Sequence, residues 1–481
     1  MELELEVGKF SGPKWTAAAL VILFTLSLAF YFLGLGKLPL EDADEATYAS
    51  VVRSMRTSGN YSVLSLEGKP WFEKPPLLFW LAALSVKVFG FSEFSLRLPS
   101  AVAGLVTVLL VMLLAVKITG SNEAGFVGGL IILFFPLFLA GARNFRMDVP
   151  VVMSMLAALY FFIRGMDNRK SSIGFGIFLA AGFLFKSIIG FLSVPVVIIF
   201  SFINKKWSWF KNPFFWLGNA LGFLILLPWH AYQFSKFGME FFRVYLGFHV
   251  AERFAGNIIG SGITSGYILW VFWRYGQPWL IIFLFSFLLY LFRSKIKSSS
   301  LFSKETCTAA SWVFWTCLFI AGLFMVSRTK LVPYFIPVYP WVAIFISIVY
   351  SALILQSGKV RIAARAIMLL ALTIGAILTY NEVFLNPKLY ITRAAGEEKI
   401  IGQILRGKPD FPVIIYEYPS DQTIKYYSER KVLHLTAENA EQLVPPFYII
   451  IPSELLEQNE WLKSLPNLFG GKSLSLYEAV E

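Results

Sequence analysis

The chain has 481 residues, of which 57% are hydrophobic, 17% aromatic and only 15% charged, and its mean hydropathy is +0.65. So little charge excludes a soluble globular protein, because polar groups could not cover the surface. The net charge of +12 does not indicate nucleic-acid binding, since the basic residues lie in short loops between apolar runs, where they set membrane topology.

Long apolar runs predict a polytopic α-helical membrane protein with about 11 to 13 spans, each long enough to cross roughly 30 Å of hydrocarbon. With a cytoplasmic N-terminus and alternating spans, every loop on the cytoplasmic side carries Lys or Arg, as the positive-inside rule requires. The spans are predicted near 15–36, 98–116, 124–142, 149–164, 172–185, 188–204, 213–232, 267–292, 308–326, 333–355 and 362–381.

One apolar segment is not counted as a span. Residues 75–90, "PPLLFWLAALSVKVFG", begin with two prolines and carry Lys87 near their end. A span here would invert every later loop and turn the basic loops outward. We therefore predict a helix that lies in or near the outer interface.

The topology divides the chain into a transmembrane domain, 1–382, and an extracytoplasmic domain, 383–481. After residue 382 short apolar runs alternate with polar segments of helical character, which predicts a small soluble α/β domain. The outer loops of the transmembrane domain are 37–97, 141–148, 231–266 and 327–333.

The first outer loop contains the acidic stretch "PLEDADEATYASVVRSMR", residues 39–56. Asp44 and Glu45 begin a predicted helix, where acids act as simple caps. Arg53 lies about two turns further on, so one rigid element holds an anionic and a cationic group at the membrane edge. The stretch fits either a cap or part of a substrate site.

The same loop contains "FEKPPL", residues 72–77, in which two prolines fix the direction of Glu73 and Lys74. Lys74 could snorkel to the interface. A lysine held near carboxylates at headgroup depth is also suited to a lipid phosphate.

Charged residues recur at the other outer span ends. Asp148 opens a span after Arg146, and Lys186 lies at an outer hinge, where it is either a turn lysine or a functional group. The long third loop contains His249 and Arg253, and the last contains Lys330 followed by Tyr334. Together these loops predict an outer-leaflet site for an anionic lipid and a polar second substrate.

The order of the motifs "DADEATYASVVRSMR", "FEKPPLLFWLA", "LRLPSAVAGLV", "RMD", "LFKSIIG" and "SRTKLVPYFIPVYPWVAI" resembles the glycosyltransferase family of the lipid A aminoarabinose transferase, which is related to the protein O-mannosyltransferases. The resemblance covers about residues 15–355, and the C-terminal domain also fits. The family motif "LPxYxLP" reads "VPYFIP" here, and a lysine-glycine-proline reads "KSI". Both departures bear on which acceptor the family resemblance implies more than on the transfer reaction itself.

The resemblance implies a GT-C fold and an inverting transfer of a sugar from a polyprenyl phosphate to an extracytoplasmic acceptor such as lipid A. By motif, Asp44 and Asp148 match the catalytic acids, Lys74 the lysine at the donor phosphate, and Tyr334 the motif tyrosine. Predicted substrate-binding residues are Glu45, Arg53, Lys74, Arg146, Lys186, Arg253, Lys330 and Tyr334.

A lipid phosphate is already a good leaving group, so no general acid is strictly required. We expect no cofactor to be required, although Glu73 and His249 could hold a divalent metal. The expected partners are the polyprenyl-phosphate sugar, a lipid or protein acceptor and membrane lipids, in a bacterial inner membrane. Protein O-glycosylation on Ser or Thr is the alternative. A transporter is a more remote one, since the acids lie at span ends and no repeat is visible.

Overall fold

A computed structural model describes residues 13–41, 44–252, 264–293, 302–328, 331–387, 394–435 and 444–480. The chain forms two compact units. Unit 1 comprises residues 1–33, 71–81 and 97–389, and unit 2 comprises residues 34–70, 82–96 and 390–481. Most of the first outer loop therefore groups with the C-terminal residues, whereas the change of composition predicted a single boundary at residue 382.

Helices make up most of the described chain. In chain order they are α1 (Pro13–Phe32), α2 (Asp44–Ser58), α3 (Leu77–Phe89), α4 (Glu93–Thr119), α5 (Asn122–Leu133), α6 (Pro136–Ala142), α7 (Asp148–Asp167), α8 (Ile173–Lys186), α9 (Ser193–Asn204), α10 (Pro213–Phe242), α11 (Ser265–Tyr275), α12 (Trp279–Leu291), α13 (Lys304–Val326), α14 (Tyr339–Ile354), α15 (Lys359–Tyr380), α16 (Ala394–Arg406) and α17 (Gln422–Ser428). The strands are β1 (Ser65–Leu66), β2 (Lys69–Pro70), β3 (Val413–Tyr416), β4 (Val432–Leu435), β5 (Phe447–Pro452), β6 (Asn467–Gly470) and β7 (Leu474–Ala479).

Seven helical segments in the described part of the chain are long and apolar enough to cross a membrane. Two bent helix pairs raise that number to nine, and two shorter apolar helices cover 16–32 and 77–89. The chain is a multi-pass membrane protein. The predicted helix at 75–90 exists as α3, and its position at the interface stays a prediction.

Residues 169–204 form a hairpin rather than one long rod. Gly182 and Gly190 lie so close that a Cβ on Gly190 would stand 2.1 Å from the Gly182 backbone. At the opposite end, Phe175 of α8 and Phe200 of α9 both pack against Phe162, with ring centres 6.0 and 5.6 Å away. The two predicted spans in this region are therefore separate helices that run in opposite directions.

Two spans predicted as continuous are broken. Helices α5 and α6 meet at 70°, and α11 and α12 meet at 94°. A proline lies at each break, Pro136 and Pro278, and proline lacks the N–H that an unbroken helix needs. At the first break the Phe134 carbonyl accepts hydrogen bonds from Trp279 Nε1 at 2.7 Å and Thr379 Oγ1 at 2.8 Å.

Unit 2 contains a five-stranded mixed sheet in the order β4-β3-β5-β7-β6. Strand β3 pairs in parallel with β4 and β5, whereas β7 pairs antiparallel with β5 and β6. Alternate residues of β3 enter opposite cores: Val413 packs with Ile401 of α16, and Ile414 packs with Leu462. The predicted α/β domain is confirmed, with β6 as a strand that the apolar runs of the sequence did not reveal.

Candidate active site

The best-defined polar cluster of unit 1 surrounds Asp148, the first residue of α7. Its carboxylate is only 4% exposed and accepts a hydrogen bond from Arg146 Nε at 3.1 Å. Lys186 Nζ donates to the other carboxylate oxygen. Two cations thus flank one buried anion, which satisfies the rule that buried charges need partners.

Local sequence explains why these side chains converge. Asp148 lies at a helix N-terminus and Lys186 at a helix C-terminus, so each charge complements the helix dipole at its position. The Arg146 carbonyl accepts a hydrogen bond from Ser100 Oγ at 3.0 Å, which ties the loop before α7 to α4. Directly after Lys186, Ser187 has φ of 50°, so the chain turns sharply there.

Tyr334 joins this cluster from a distant part of the sequence. It belongs to the 3-10 segment Val332–Val338, and its ring centre lies 5.8 Å from Lys186 Nζ. That distance is typical of a cation–π contact. Four predicted residues from three separate segments are therefore brought together: Arg146 and Asp148 from one loop, Lys186 from the outer hinge, and Tyr334.

Lys74 is held in unit 1 by its neighbours. Its side chain is 13% exposed, and its ammonium lies 3.6 Å from the Glu73 carboxylate and 5.9 Å from the ring centre of Trp71. The neighbouring Phe72 packs against Phe241, with ring centres 5.6 Å apart. The aromatic contacts of Trp71 and Phe72, directly before Glu73 and Lys74, thus restrict where Lys74 can point.

The predicted residues of the acidic stretch belong to unit 2. Asp44 is the first residue of α2, and Glu45 is fully buried with a carboxylate oxygen that accepts the Glu41 N–H at 3.0 Å. Arg53 Nη1 donates to the Tyr426 carbonyl at 2.7 Å and its guanidinium lies over the Tyr426 ring at 4.2 Å. Glu45 and Arg53 thus have structural contacts, and their predicted binding of substrate stays a prediction.

Three predicted residues cannot be placed. Arg253 and Lys330 lie outside the described residues, as does the side chain of His249. Among the side chains that the structure describes, no three of His, Cys, Asp or Glu are grouped closely enough to hold a metal ion. The metal site at Glu73 and His249 therefore stays a prediction.

His230 is a polar residue that the sequence motifs did not indicate. Its Nδ1 lies 2.8 Å from the Leu226 carbonyl, whereas Nε2 is buried without a hydrogen-bond partner among the described residues. The ring lies 5.4 Å from Phe183, which precedes Lys186 by three residues. An ionisable residue within a predicted span is a functional candidate by default, and that rule would have selected it.

Comparison with solved structures defines the fold of the chain. The chain superposes on the crystal structure of ArnT from Cupriavidus metallidurans bound to undecaprenyl phosphate with a TM-score of 0.73. The match covers 96% of this chain and 98% of that chain at 18% identity. The chain therefore has the GT-C fold of membrane glycosyltransferases.

Sequence comparison places the chain more closely. Residues 73–232 match the dolichyl-phosphate-mannose-protein mannosyltransferase family. The chain is 30% identical over 346 residues to an undecaprenyl phosphate-alpha-4-amino-4-deoxy-L-arabinose arabinosyl transferase of Proteus mirabilis, and 27% identical over 355 residues to that of Aeromonas hydrophila. The alignments cover 69% and 72% of this chain but only 59% and 61% of those transferases. The chain is thus similar in sequence to undecaprenyl phosphate aminoarabinose transferases, and its residues 73–232 are similar to the dolichyl-phosphate-mannose-protein mannosyltransferases.

Proposed function

We propose that the protein is an inverting membrane glycosyltransferase that moves a sugar from a polyprenyl phosphate to an extracytoplasmic acceptor. The observation that carries this proposal is the cluster in which Arg146 and Lys186 pair with the buried Asp148 and the Tyr334 ring lies beside Lys186. The names of the relatives support a lipid-linked donor, since the Proteus mirabilis protein is an undecaprenyl phosphate aminoarabinose transferase.

The reaction needs one bond to form and one to break. An oxygen of an acceptor hydroxyl or phosphate attacks the anomeric carbon, the bond from that carbon to the donor's phosphate oxygen breaks, and the polyprenyl phosphate leaves with the electron pair. A lipid phosphate is a good leaving group, so the main task is to stabilise the charge that develops on it.

Cations of unit 1 fit that task. Lys74 is the residue that the motif assigns to the donor phosphate. The contacts of its ammonium with the Glu73 carboxylate and the Trp71 ring restrict where the side chain can point. Lys186 carries a second positive charge, which Asp148 and the Tyr334 ring hold in place. Asp148 is therefore a positioning anion in this proposal, because its carboxylate is already engaged by two cations.

The base that accepts the proton of the acceptor is assigned to Asp44. This role rests on the motif "DADEATYASVVRSMR" alone. A carboxylate that receives a proton from an attacking group contributes typically 10²- to 10⁴-fold to a rate. The proposed reaction proceeds without a metal, and a chelator that abolished transfer would instead support a divalent ion at Glu73 and His249.

The proposed setting is a bacterial inner membrane with a cytoplasmic N-terminus. The acidic first loop and the C-terminal domain are then extracytoplasmic, where an acceptor such as lipid A is available. A reporter fused at residue 400 that proved to be cytoplasmic would overturn this topology.

A transfer assay with matched variants tests the function. Purified protein in vesicles receives a radiolabelled polyprenyl-phosphate sugar, either aminoarabinose or mannose, with lipid A or a Ser/Thr peptide as acceptor. We expect Asp44→Asn and Asp148→Asn to lower transfer by about 100-fold or more. The control is Asp167→Asn, which changes the exposed aspartate at the other end of α7.

The outcomes separate the claims. Label that reaches lipid A and not the peptide supports a lipid acceptor, and the reverse supports the protein O-glycosylation alternative. Full transfer by both Asp44→Asn and Asp148→Asn would refute the assignment of these residues. Failure of the wild-type protein to transfer either sugar to either acceptor would count against the proposed function itself.

A further inference from the structure

A cationic groove lies entirely within unit 2. It is formed where α2 and α3 end, has a volume of about 390 Å³, and is lined by Arg53, Arg56, Thr57, Val86, Lys87, Gly90 and Phe91. Three of these residues carry positive charge and none carries negative charge. An anionic ligand fits that charge.

The three cations are not equivalent. Arg53 already contacts the Tyr426 carbonyl and lies 3.5 Å from Glu429, which also pairs with Arg406 at 2.9 Å. Arg56 and Lys87 are exposed, and no acidic residue is among those that line the groove with them. Arg53 therefore shapes the groove, while Arg56 and Lys87 present charge to a ligand.

An exposed apolar surface adjoins this charge. On α3, Leu84, Val88 and Phe89 are 59%, 65% and 57% exposed, although Val86 on the same helix is buried. A soluble surface seldom leaves such large apolar side chains in water side by side. In a multi-pass membrane protein they fit acyl chains, with the cations at headgroup level.

We propose that this groove binds the phosphate of an anionic membrane lipid, with its acyl chains along the exposed face of α3. Arg56 and Lys87 pair with the phosphate, where a guanidinium offers two parallel donors. The site differs from the proposed donor site in its residues, since it contains none of Lys74, Asp148 or Lys186. The proposal does not rest on the proposed function.

A simpler explanation of these cations is helix stabilisation. Arg56 lies in the last turn of α2 and Lys87 in the last turn of α3, where positive charge favours the helix dipole. That role predicts lower stability on substitution even without lipid. A lipid site instead predicts that substitution of Arg56 and Lys87 leaves stability unchanged in a neutral detergent. The variants should be less stable than the wild type only when anionic lipid is present.

The test measures binding of fluorescent phosphatidylglycerol to the full-length protein in a neutral detergent, without sugar donor. Each cation near a lipid phosphate contributes roughly a factor of five, so Arg56→Gln/Lys87→Gln should weaken binding by at least about tenfold. The control, Lys69→Gln/Lys431→Gln, removes two exposed cations of unit 2 that do not line the groove.

Four results would overturn the proposal. The first is equal weakening in both double variants, which indicates diffuse attraction. The second is wild-type affinity in Arg56→Gln/Lys87→Gln, and the third is displacement of the lipid by millimolar inorganic phosphate, which indicates a site for free phosphate. Equally tight binding of fluorescent phosphatidylcholine would also refute it. A protein that binds the lipid at this groove but transfers no sugar would leave the site established and refute only the proposed function.

Discussion

Asp148 and Asp167 are the first and last residues of the same helix, α7, and each pairs with one lysine. The pairs differ in burial: Asp148 is 4% exposed and bonds to Lys186, whereas Asp167 is 56% exposed and bonds to Lys117. Asp148 has a second partner in Arg146 at 3.1 Å. One helix thus carries a buried ionic cluster at one end and a solvated ion pair at the other, and the solvated pair supplies matched controls for experiments on the buried cluster.

The stability of the protein should depend on Lys186 far more than on Lys117. Lys186→Met leaves the buried Asp148 carboxylate with a single cation, and removal of one partner from a buried pair costs about 3 kcal/mol. Lys117→Met breaks an exposed pair, which contributes less than about 1 kcal/mol. The measurement is the thermal unfolding midpoint in detergent. Equal shifts for the two variants would contradict the importance of burial.

The ring and the hydroxyl of Tyr334 should have separable effects. Tyr334→Phe keeps the ring 5.8 Å from Lys186 Nζ, so the cation–π contact and the unfolding midpoint should be retained. Tyr334→Leu removes that contact and should lower stability by about 1 kcal/mol. If the hydroxyl binds the donor phosphate, Tyr334→Phe raises KM for the lipid-linked sugar. An unchanged midpoint in Tyr334→Leu would show that the ring does not hold the lysine.

The sequence was sufficient for the helical class and for much of the candidate site. The order of the motifs is enough to single out Arg146, Asp148, Lys186 and Tyr334, because ionisable groups at span ends are rare enough to be informative. The motif order does not predict that most of the first outer loop groups with the C-terminal residues in one compact unit. Arg53 meets Tyr426 across 373 positions of sequence, and no local periodicity encodes such a contact.

The helix breaks show a second limit. Apolar residues predominate on both sides of Pro136 and of Pro278, so a window average reads each region as one span. Prolines occur within intact helices too, as Pro99 does in α4. Whether a proline breaks a span depends on partners for the released carbonyl, and Trp279 and Thr379 supply them from distant helices.

Close packing at the first break should make Gly375 intolerant of a side chain. A Cβ there would stand 2.4 Å from the Trp279 ring, whose Nε1 holds the Phe134 carbonyl. Gly375→Ala should therefore destabilise the protein by about 1 to 3 kcal/mol. A Cβ on Gly322, also within a helix, would meet no described atom within 4 Å, so Gly322→Ala should be neutral or stabilising by up to about 1 kcal/mol. Shifts of the thermal midpoint with the same sign in both variants would contradict this prediction.

Acid should weaken the C-terminal sheet through Asp421. Burial acts to raise the pKa of this carboxyl, but hydrogen bonds from Lys425 and His434, each at 2.8 Å, outweigh burial and hold the pKa below its ordinary value. The folded state thus binds fewer protons than the unfolded state, in which the pKa is about 3.9. The stabilisation is complete above that value and is lost as the pH falls through the lower folded pKa.

Asp421→Asn should therefore lower protection of residues 413–435 by a constant amount above about pH 4, and the difference from wild type should shrink toward zero in stronger acid. The measurement is hydrogen exchange of peptides from the full-length protein, corrected for the intrinsic pH dependence of exchange. Asp410→Asn is the control, because its side chain is 97% exposed and lies 3.9 Å from Arg430. A difference between Asp421→Asn and wild type that persisted undiminished far below pH 4 would contradict the role of this ionised carboxylate.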